Sequence, residues 1–274
     1  MKNKTSDEFF STTYREAVQE IMACIPADQS AIAKHNVGWR SGNFDPKQYL
    51  MKSETRYLRA LKAIQSAGAK SVLDVGGFLA VFPLALRRLG WSVSIAEKFG
   101  YYDHALDGVA DCLKANGIEV IDIDFTEPGN GVAAITSRFD AVTCMAVAEH
   151  LAHTPRHLLE NIRTVLEPGG ALIFEVPNLA FWPRRFAFFF KGATVLSPVD
   201  EVYYSAVPYT GHHREYTLAD ARYVVGQAGF EIVSEETFNY SIGAESIWNL
   251  LRYAPAYLFK EWSEVILLHC RKPA

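Results

Sequence analysis

Carboxylates and imidazoles recur in this 274-residue chain at the ends of short apolar runs, where side chains can do chemistry. Asp74 lies within the run Val72-Leu73-Asp74-Val75, which Gly76-Gly77 breaks. Glu97 ends a second β-prone run about 20 residues further on, a spacing at which a carboxylate can accept hydrogen bonds from two ribose hydroxyls. Asp124 closes a third run. Glu149-His150 follows a fourth, and His212-His213-Arg214 precedes a helix start. Imidazole exchanges a proton near neutral pH, so these histidines are candidates for general acid–base work. The pattern points to a nucleoside-bearing ligand with proton acceptors nearby.

The elements needed to position these groups are legible from periodicity. Residues 70–97 read as strand, tight turn, helix, strand: one βαβ unit of a parallel sheet, whose ligands bind beyond the strand ends and against a helix N-terminus. Further strands are expected at 118–123, 139–145, 171–176, 230–233 and 265–269. Helices are expected at 14–25, 49–67, 103–116 and after Thr154-Pro155, with Thr as N-cap and Pro at the first position. Pro183 begins an aromatic–basic helix. Thr217 caps another, with Asp220 completing an approximate capping box. Residues 245–251 read as a helical fragment. The turn-rich stretch 36–46, with Trp39 and Phe44, is expected to pack over the core or the substrate. This divides the chain into an N-terminal helical cap, 1–50, and an α/β domain, 51–274. The domain carries an acceptor-side insertion, 177–216, and a crossover, 236–262.

Net charge is −4 with no extended basic run, so nucleic acid has no electrostatic support as a partner. The four cysteines are scattered and read as reduced core residues. No carboxylate/histidine spacing suggests a metal site. The polar, acidic N-terminal residues predict no signal peptide, and no apolar run reaches the roughly 18 residues of a membrane span, so a cytoplasmic location is expected.

With these residues in view, the chain resembles the class I S-adenosylmethionine-dependent methyltransferases over residues 72–272. The likeness is carried by the loop at 72–86, by Glu97, by FDAVTCMAVAEHLAHTPRHLLENIRTVLEPGGALIFEVPN at 139–178 and by GHHREYTLADARYVVGQAGFEIV at 211–233. The last stretch is similar to small-molecule and polysaccharide-modifying members. The resemblance implies a Rossmann-like seven-stranded sheet, mostly parallel, with the last strand antiparallel and beside the sixth, and helices on both faces. It implies S-adenosyl-L-methionine as cofactor. The backbone of Gly76, Gly77 and Phe78 would bound its methionine part, Glu97 its ribose and Asp124 its adenine amino group, with Phe125 beside the ring. Asp74 would act through a water or by fixing the loop. One departure stands out. The family's loop usually reads acidic-x-Gly-x-Gly-x-Gly, and here Phe78 and Ala80 occupy the second and third glycine positions. Glycine serves there because backbone approaches the ligand and takes positive φ.

The implied reaction is in-line methyl transfer to a small-molecule or glycan acceptor, most naturally a hydroxyl oxygen assisted by a base. His213 is the first candidate base and His150 the second, with Glu149 beside it. Arg214 is suited to an anionic group of the acceptor. The same residues also have bland readings: a strand-to-helix turn, solvated carboxylates and a packed loop. A non-catalytic methyltransferase-like scaffold subunit is the alternative function. A nicotinamide-dependent oxidoreductase shares the fold logic but lacks Gly-x-Gly-x-x-Gly. The stretch 181–191 could touch a membrane surface or a partner subunit, and oligomers are compatible with the sequence.

Overall fold

Apolar residues in runs of four to seven are too short for helices and form strands when both faces can be buried. In the computed structural model they build a single sheet. The structure describes residues 6–35, 45–127, 132–205, 207–242 and 247–274. The strands are β1 Ser71–Val75, β2 Ser92–Glu97, β3 Glu119–Asp122, β4 Phe139–Met145, β5 Leu166–Pro177, β6 Glu231–Phe238 and β7 Val265–Arg271. Their order is β3-β2-β1-β4-β5-β7-β6. β1 to β5 pair in parallel, whereas β7 runs antiparallel to both β5 and β6. The expected fold class is the observed one.

Alternate residues of each strand serve opposite faces. Val72 and Ala141 join a core with Phe10, Ile64 and Leu84, while Leu73, Val142 and Cys144 join a second core with Leu158, Ile162 and Val225. The first core is covered by helices Ser6–Cys24, Pro46–Ser66, Val81–Arg88 and Asp107–Ala115. The second is covered by Arg156–Val165 and Leu218–Gln227.

Several boundaries differ from expectation for local reasons. The first helix starts at Ser6 rather than residue 14, because Phe10 extends the inward face of Tyr14, Ala17, Val18 and Ile21. The helix expected at 49–67 begins earlier, at Pro46, after Asp45 caps it by accepting the Gln48 N–H. The helix expected from residue 103 starts at Asp107, because Asp103 and His104 take left-handed φ of 48° and 67°. Pro155, not Thr154, occupies the cap position of the next helix, although the Thr154 hydroxyl still accepts the Arg156 N–H at 3.2 Å. The Thr217–Asp220 capping box is present. β6 continues to Phe238 through polar residues, which it tolerates as an edge strand with one face in water. The helical fragment is longer, Ile247–Leu258. Trp39, Phe44 and residues 245–246 lie outside the described residues. Among the described residues no helix is long and apolar enough to cross a membrane.

One buried ion pair ties the Pro46–Ser66 helix to the sheet. Arg56 is 3% and Glu175 1% exposed. Arg56 donates to both Glu175 oxygens, at 2.5 and 3.0 Å. Removing one partner strands a charge in the interior, which typically costs about 3–5 kcal/mol. Arg56→Ala is therefore expected to lower stability by that amount in urea unfolding. Replacing Arg56 and Glu175 together with apolar residues is expected to cost less than either single change.

Candidate active site

The carboxyl ends of β1, β2 and β4 open on one cleft of about 1110 Å³. Of the residues singled out in the sequence, Asp74, Gly76, Gly77, Phe78, Glu97, Asp124, Phe125, Glu149, His150 and His213 line it; Arg214 does not.

The loop after β1 takes left-handed backbone at each of the three positions where the resembled motif has glycine. Gly76, Phe78 and Ala80 have φ of 73°, 49° and 53°, so all three glycine positions of the motif are left-handed although two carry side chains. Such a residue costs roughly 1–2 kcal/mol. Neighbours hold it in place. The Phe78 N–H donates to Glu97 Oε2 at 2.8 Å, and the Ala80 N–H to the Gly77 carbonyl at 2.8 Å. The Phe78 ring packs on Tyr102 at 5.5 Å between centroids. Gly77 is also held to glycine, since a Cβ there would sit 2.3 Å from Asp74 Oδ2.

Burial pushes the Asp74 carboxyl up to about 7, with Glu97 adding to the shift and a hydrogen bond from the Thr143 hydroxyl opposing it. Glu97 is 8% exposed. It accepts the Phe78 N–H on one oxygen and the Lys98 N–H, at 2.9 Å, on the other. Burial raises its pKa, the two backbone bonds lower it, and Asp124 and Asp122 raise it. Each carboxylate oxygen has a second lone pair, so both can still accept. Asp124 Oδ1 closes a turn by accepting the Thr126 N–H at 2.8 Å and its hydroxyl at 2.6 Å. Phe125 is buried beside it, its carbonyl held by Asn161 Nδ2 at 2.9 Å.

Across the cleft, Glu149 and His150 leave the end of β4 in a short 3₁₀ turn, Ala148–His150. The loop at 211–215 is fastened to that turn: the N–H groups of His213 and Arg214 donate to the Glu149 carbonyl at 2.7 and 3.3 Å. Burial pushes the Glu149 carboxyl up to about 7, and His212 works against it. Enclosure in the cleft, then the neighbouring His212 and His213, push the His150 imidazole down to about 4. His150 Nδ1 lies 2.9 Å from the Thr210 carbonyl. His212 Nδ1 lies 2.8 Å from Glu215 Oε1. Burial disfavours charge on His212, but Glu215 and Glu149 outweigh it and raise its pKa. His213 is exposed, with Nε2 2.9 Å from the Tyr209 carbonyl. Arg214 holds its guanidinium over the Tyr216 ring at 5.9 Å.

The sequence placed His212 among the candidate histidines but ranked His213 and His150 ahead of it as base, and it missed Glu215, which is 2% exposed and paired with both His212 and Arg184. The signal was present: a His and a Glu three residues apart in GHHRE. Glu149, His150 and His212 offer ligand atoms within 4.8 Å of one another, a grouping that no chain spacing advertised.

A family model for a methyltransferase domain matches residues 47–235. The chain is similar to the N-methyltransferase NodS of Bradyrhizobium japonicum WM9, solved with S-adenosyl-l-homocysteine: 14% identity over 96% of this chain and 99% of that one, TM-score 0.50. It is similar to a SAM-dependent methyltransferase from Archaeoglobus fulgidus: 14% identity, 82% and 94% coverage, TM-score 0.53. The protein solved in complex with the Haloferax volcanii Trm112 methyltransferase activator is 15% identical, with 81% and 92% coverage and TM-score 0.55. No curated protein matches.

The loop geometry makes opposite demands on two neighbours. Gly77→Ala drives a methyl into Asp74 and is expected to cost about 1–3 kcal/mol. Ala80→Gly relieves left-handed strain of roughly 1–2 kcal/mol and gives back about 0.4–1 through a freer unfolded chain, so stability holds or rises. Denaturant midpoints of the two variants check this ordering.

Proposed function

The chain belongs to the methyltransferase-domain family, and from that premise we propose that it methylates a hydroxyl oxygen of a small-molecule or glycan acceptor. S-adenosyl-L-methionine is the cofactor and supplies a sulfonium-bound methyl group for in-line displacement. The residues present fit it. The left-handed turn at Gly76–Ala80 leaves backbone free to approach a ligand, the bare Cα of Gly77 lets the turn pack against Asp74, and Glu97 keeps acceptor capacity for two hydroxyls. In this reading Glu97 holds the ribose, Asp124 the adenine amino group and Phe125 the ring's edge, while Asp74 fixes the loop.

The observation that carries the oxygen reading is the convergence of Glu149, His150 and His212 on the same cleft. A hydroxyl must lose its proton to become a competent nucleophile, and assistance is typically worth 10²–10⁴ in rate. The Glu149–His150–His212 group draws that proton off. His213, whose Nε2 is engaged by the Tyr209 carbonyl, stands at the rim and positions the loop.

The insertion supports an acceptor with an apolar tail presented at a lipid surface. Helix Trp182–Lys191 buries no residue, and Phe188, Phe189 and Phe190 are 57%, 82% and 66% exposed beside Arg185 and Lys191. Leu196, a few residues on, lines the cleft. Anionic phosphatidylglycerol vesicles are expected to co-sediment the protein, and Phe189→Ser with Phe190→Ser to release it. Equal sedimentation of both forms would remove this surface from the account.

Glu97→Ala is expected to weaken S-adenosylmethionine binding several-fold to about a hundredfold. His212→Ala is expected to lower turnover about 10²–10⁴-fold with donor affinity nearly unchanged. Calorimetry and transfer of a labelled methyl group to a panel of sugars, nucleotide sugars and phenols make the two measurements. Donor binding without transfer to any oxygen acceptor would leave a binding subunit in place of the enzyme.

A further inference from the structure

Glu149 is 1% exposed, and its Oε2 has no hydrogen-bond partner among the described residues. A buried carboxylate oxygen without a partner costs the full desolvation of that atom and demands an occupant. Arg56, a nearby buried cation, is committed to both oxygens of Glu175, and Arg184 to Glu215. Neither supplies the missing partner.

The two imidazoles beside Glu149 are set up to ligate. A backbone carbonyl can only accept, so His150 Nδ1, at 2.9 Å from the Thr210 carbonyl, carries the hydrogen and leaves the lone pair of the neutral ring on Nε2. The same holds for His212, whose Nδ1 donates to the Glu215 carboxylate at 2.8 Å. A carboxylate or carbonyl behind a histidine, fixing its tautomer and aim, is the usual outer support of a metal ligand. The two rings stand nearly perpendicular, at 87° with centroids 4.7 Å apart, so they share a corner rather than stack. One nitrogen of each ring and one carboxylate oxygen of Glu149 lie within 4.8 Å of one another. Bond lengths of roughly 2.0–2.2 Å to a central ion require the three groups to close toward it.

We propose that Glu149, His150 and His212 together bind one divalent transition-metal ion in the acceptor half of the cleft. Two imidazoles and one carboxylate favour zinc, iron or a similar ion over magnesium, which prefers carboxylate and water oxygens. Three protein ligands leave positions open for an acceptor oxygen. This use of the ion rests on the methyl-transfer reading above and says how the group draws off the proton. An ion-bound hydroxyl ionises far more easily, as bound water does when its pKa falls from 15.7 to about 7. The O–H bond breaks and its proton passes to solvent at the cleft mouth. The oxygen–methyl bond forms as the methyl–sulfur bond breaks, and that electron pair stays on sulfur.

The test uses the full chain after chelator treatment. Co²⁺ is titrated and followed by its visible absorption, with Zn²⁺ calorimetry alongside. One ion per chain is expected, with saturable binding lost in His150→Ala and in His212→Ala and kept in His213→Ala. Glu215→Gln, which disturbs the support of His212, is expected to weaken Zn²⁺ binding about 10–100-fold. No saturable binding by the wild type, or binding that survives the His150→Ala/His212→Ala double substitution, overturns the site. S-adenosylmethionine titration of the same samples separates the two readings. A wild type that binds the ion but not the donor contradicts the methyltransferase function and leaves the ion site standing. A wild type that binds the donor but not the ion does the reverse. His150 is exposed and His212 half-buried, and unchanged donor binding in the two histidine variants establishes that the fold is intact.

Discussion

The carboxylate of Glu97 accepts one backbone N–H from Phe78 and another from Lys98, so the turn after β1 and the end of β2 share one anchor. Much of the cleft depends on that junction. It holds Phe78 in a left-handed conformation that phenylalanine rarely adopts, and so lets the turn keep the path that glycines ordinarily give it. It also fixes Glu97 at the strand end where a ribose-bearing ligand would be met. Asp74 lies beneath, hard against the bare Cα of Gly77. This side of the cleft is therefore built from backbone geometry and two buried carboxylates, not from long flexible side chains.

The opposite side of the cleft is assembled differently. Its groups come from the turn after β4 and from the loop ahead of the Leu218–Gln227 helix, and main-chain hydrogen bonds to the Glu149 carbonyl join the two. Burying several carboxylates at the strand ends is costly unless each finds a partner. Glu175 has Arg56, Asp74 has Thr143, Glu97 has two N–H groups, and Glu215 has His212 and Arg184. Among the described residues, Glu149 alone in this set keeps a fully buried oxygen without a partner, and that is the oxygen the proposed ion would meet.

The sheet was largely legible because each central strand is an apolar run bounded by Gly, Pro or a carboxylate. The exceptions have physical causes. β6 read as short because an edge strand carries polar residues. The helix after Glu97 read as too long because positive φ at Asp103 and His104 leaves no mark in periodicity. In the site, Asp74, Glu97 and Asp124 were legible from their positions at strand ends. The replacement of glycine by Phe78 and Ala80 was visible, but not that the backbone stays left-handed through it, since that depends on Glu97 across the sheet. The His212–Glu215 pair lies three residues apart in GHHRE and could have been read from spacing, but the grouping of Glu149, His150 and His212 depends on side-chain direction across distant loops, which one-dimensional spacing does not encode.

The central claim is that this altered loop still cradles the methyl donor. Calorimetric titration of the wild-type protein with S-adenosylmethionine, and separately with NADH, tests it most directly. The account predicts saturable one-to-one binding of S-adenosylmethionine and none of NADH. Absence of S-adenosylmethionine binding by the folded protein, or preferential binding of NADH, would contradict it.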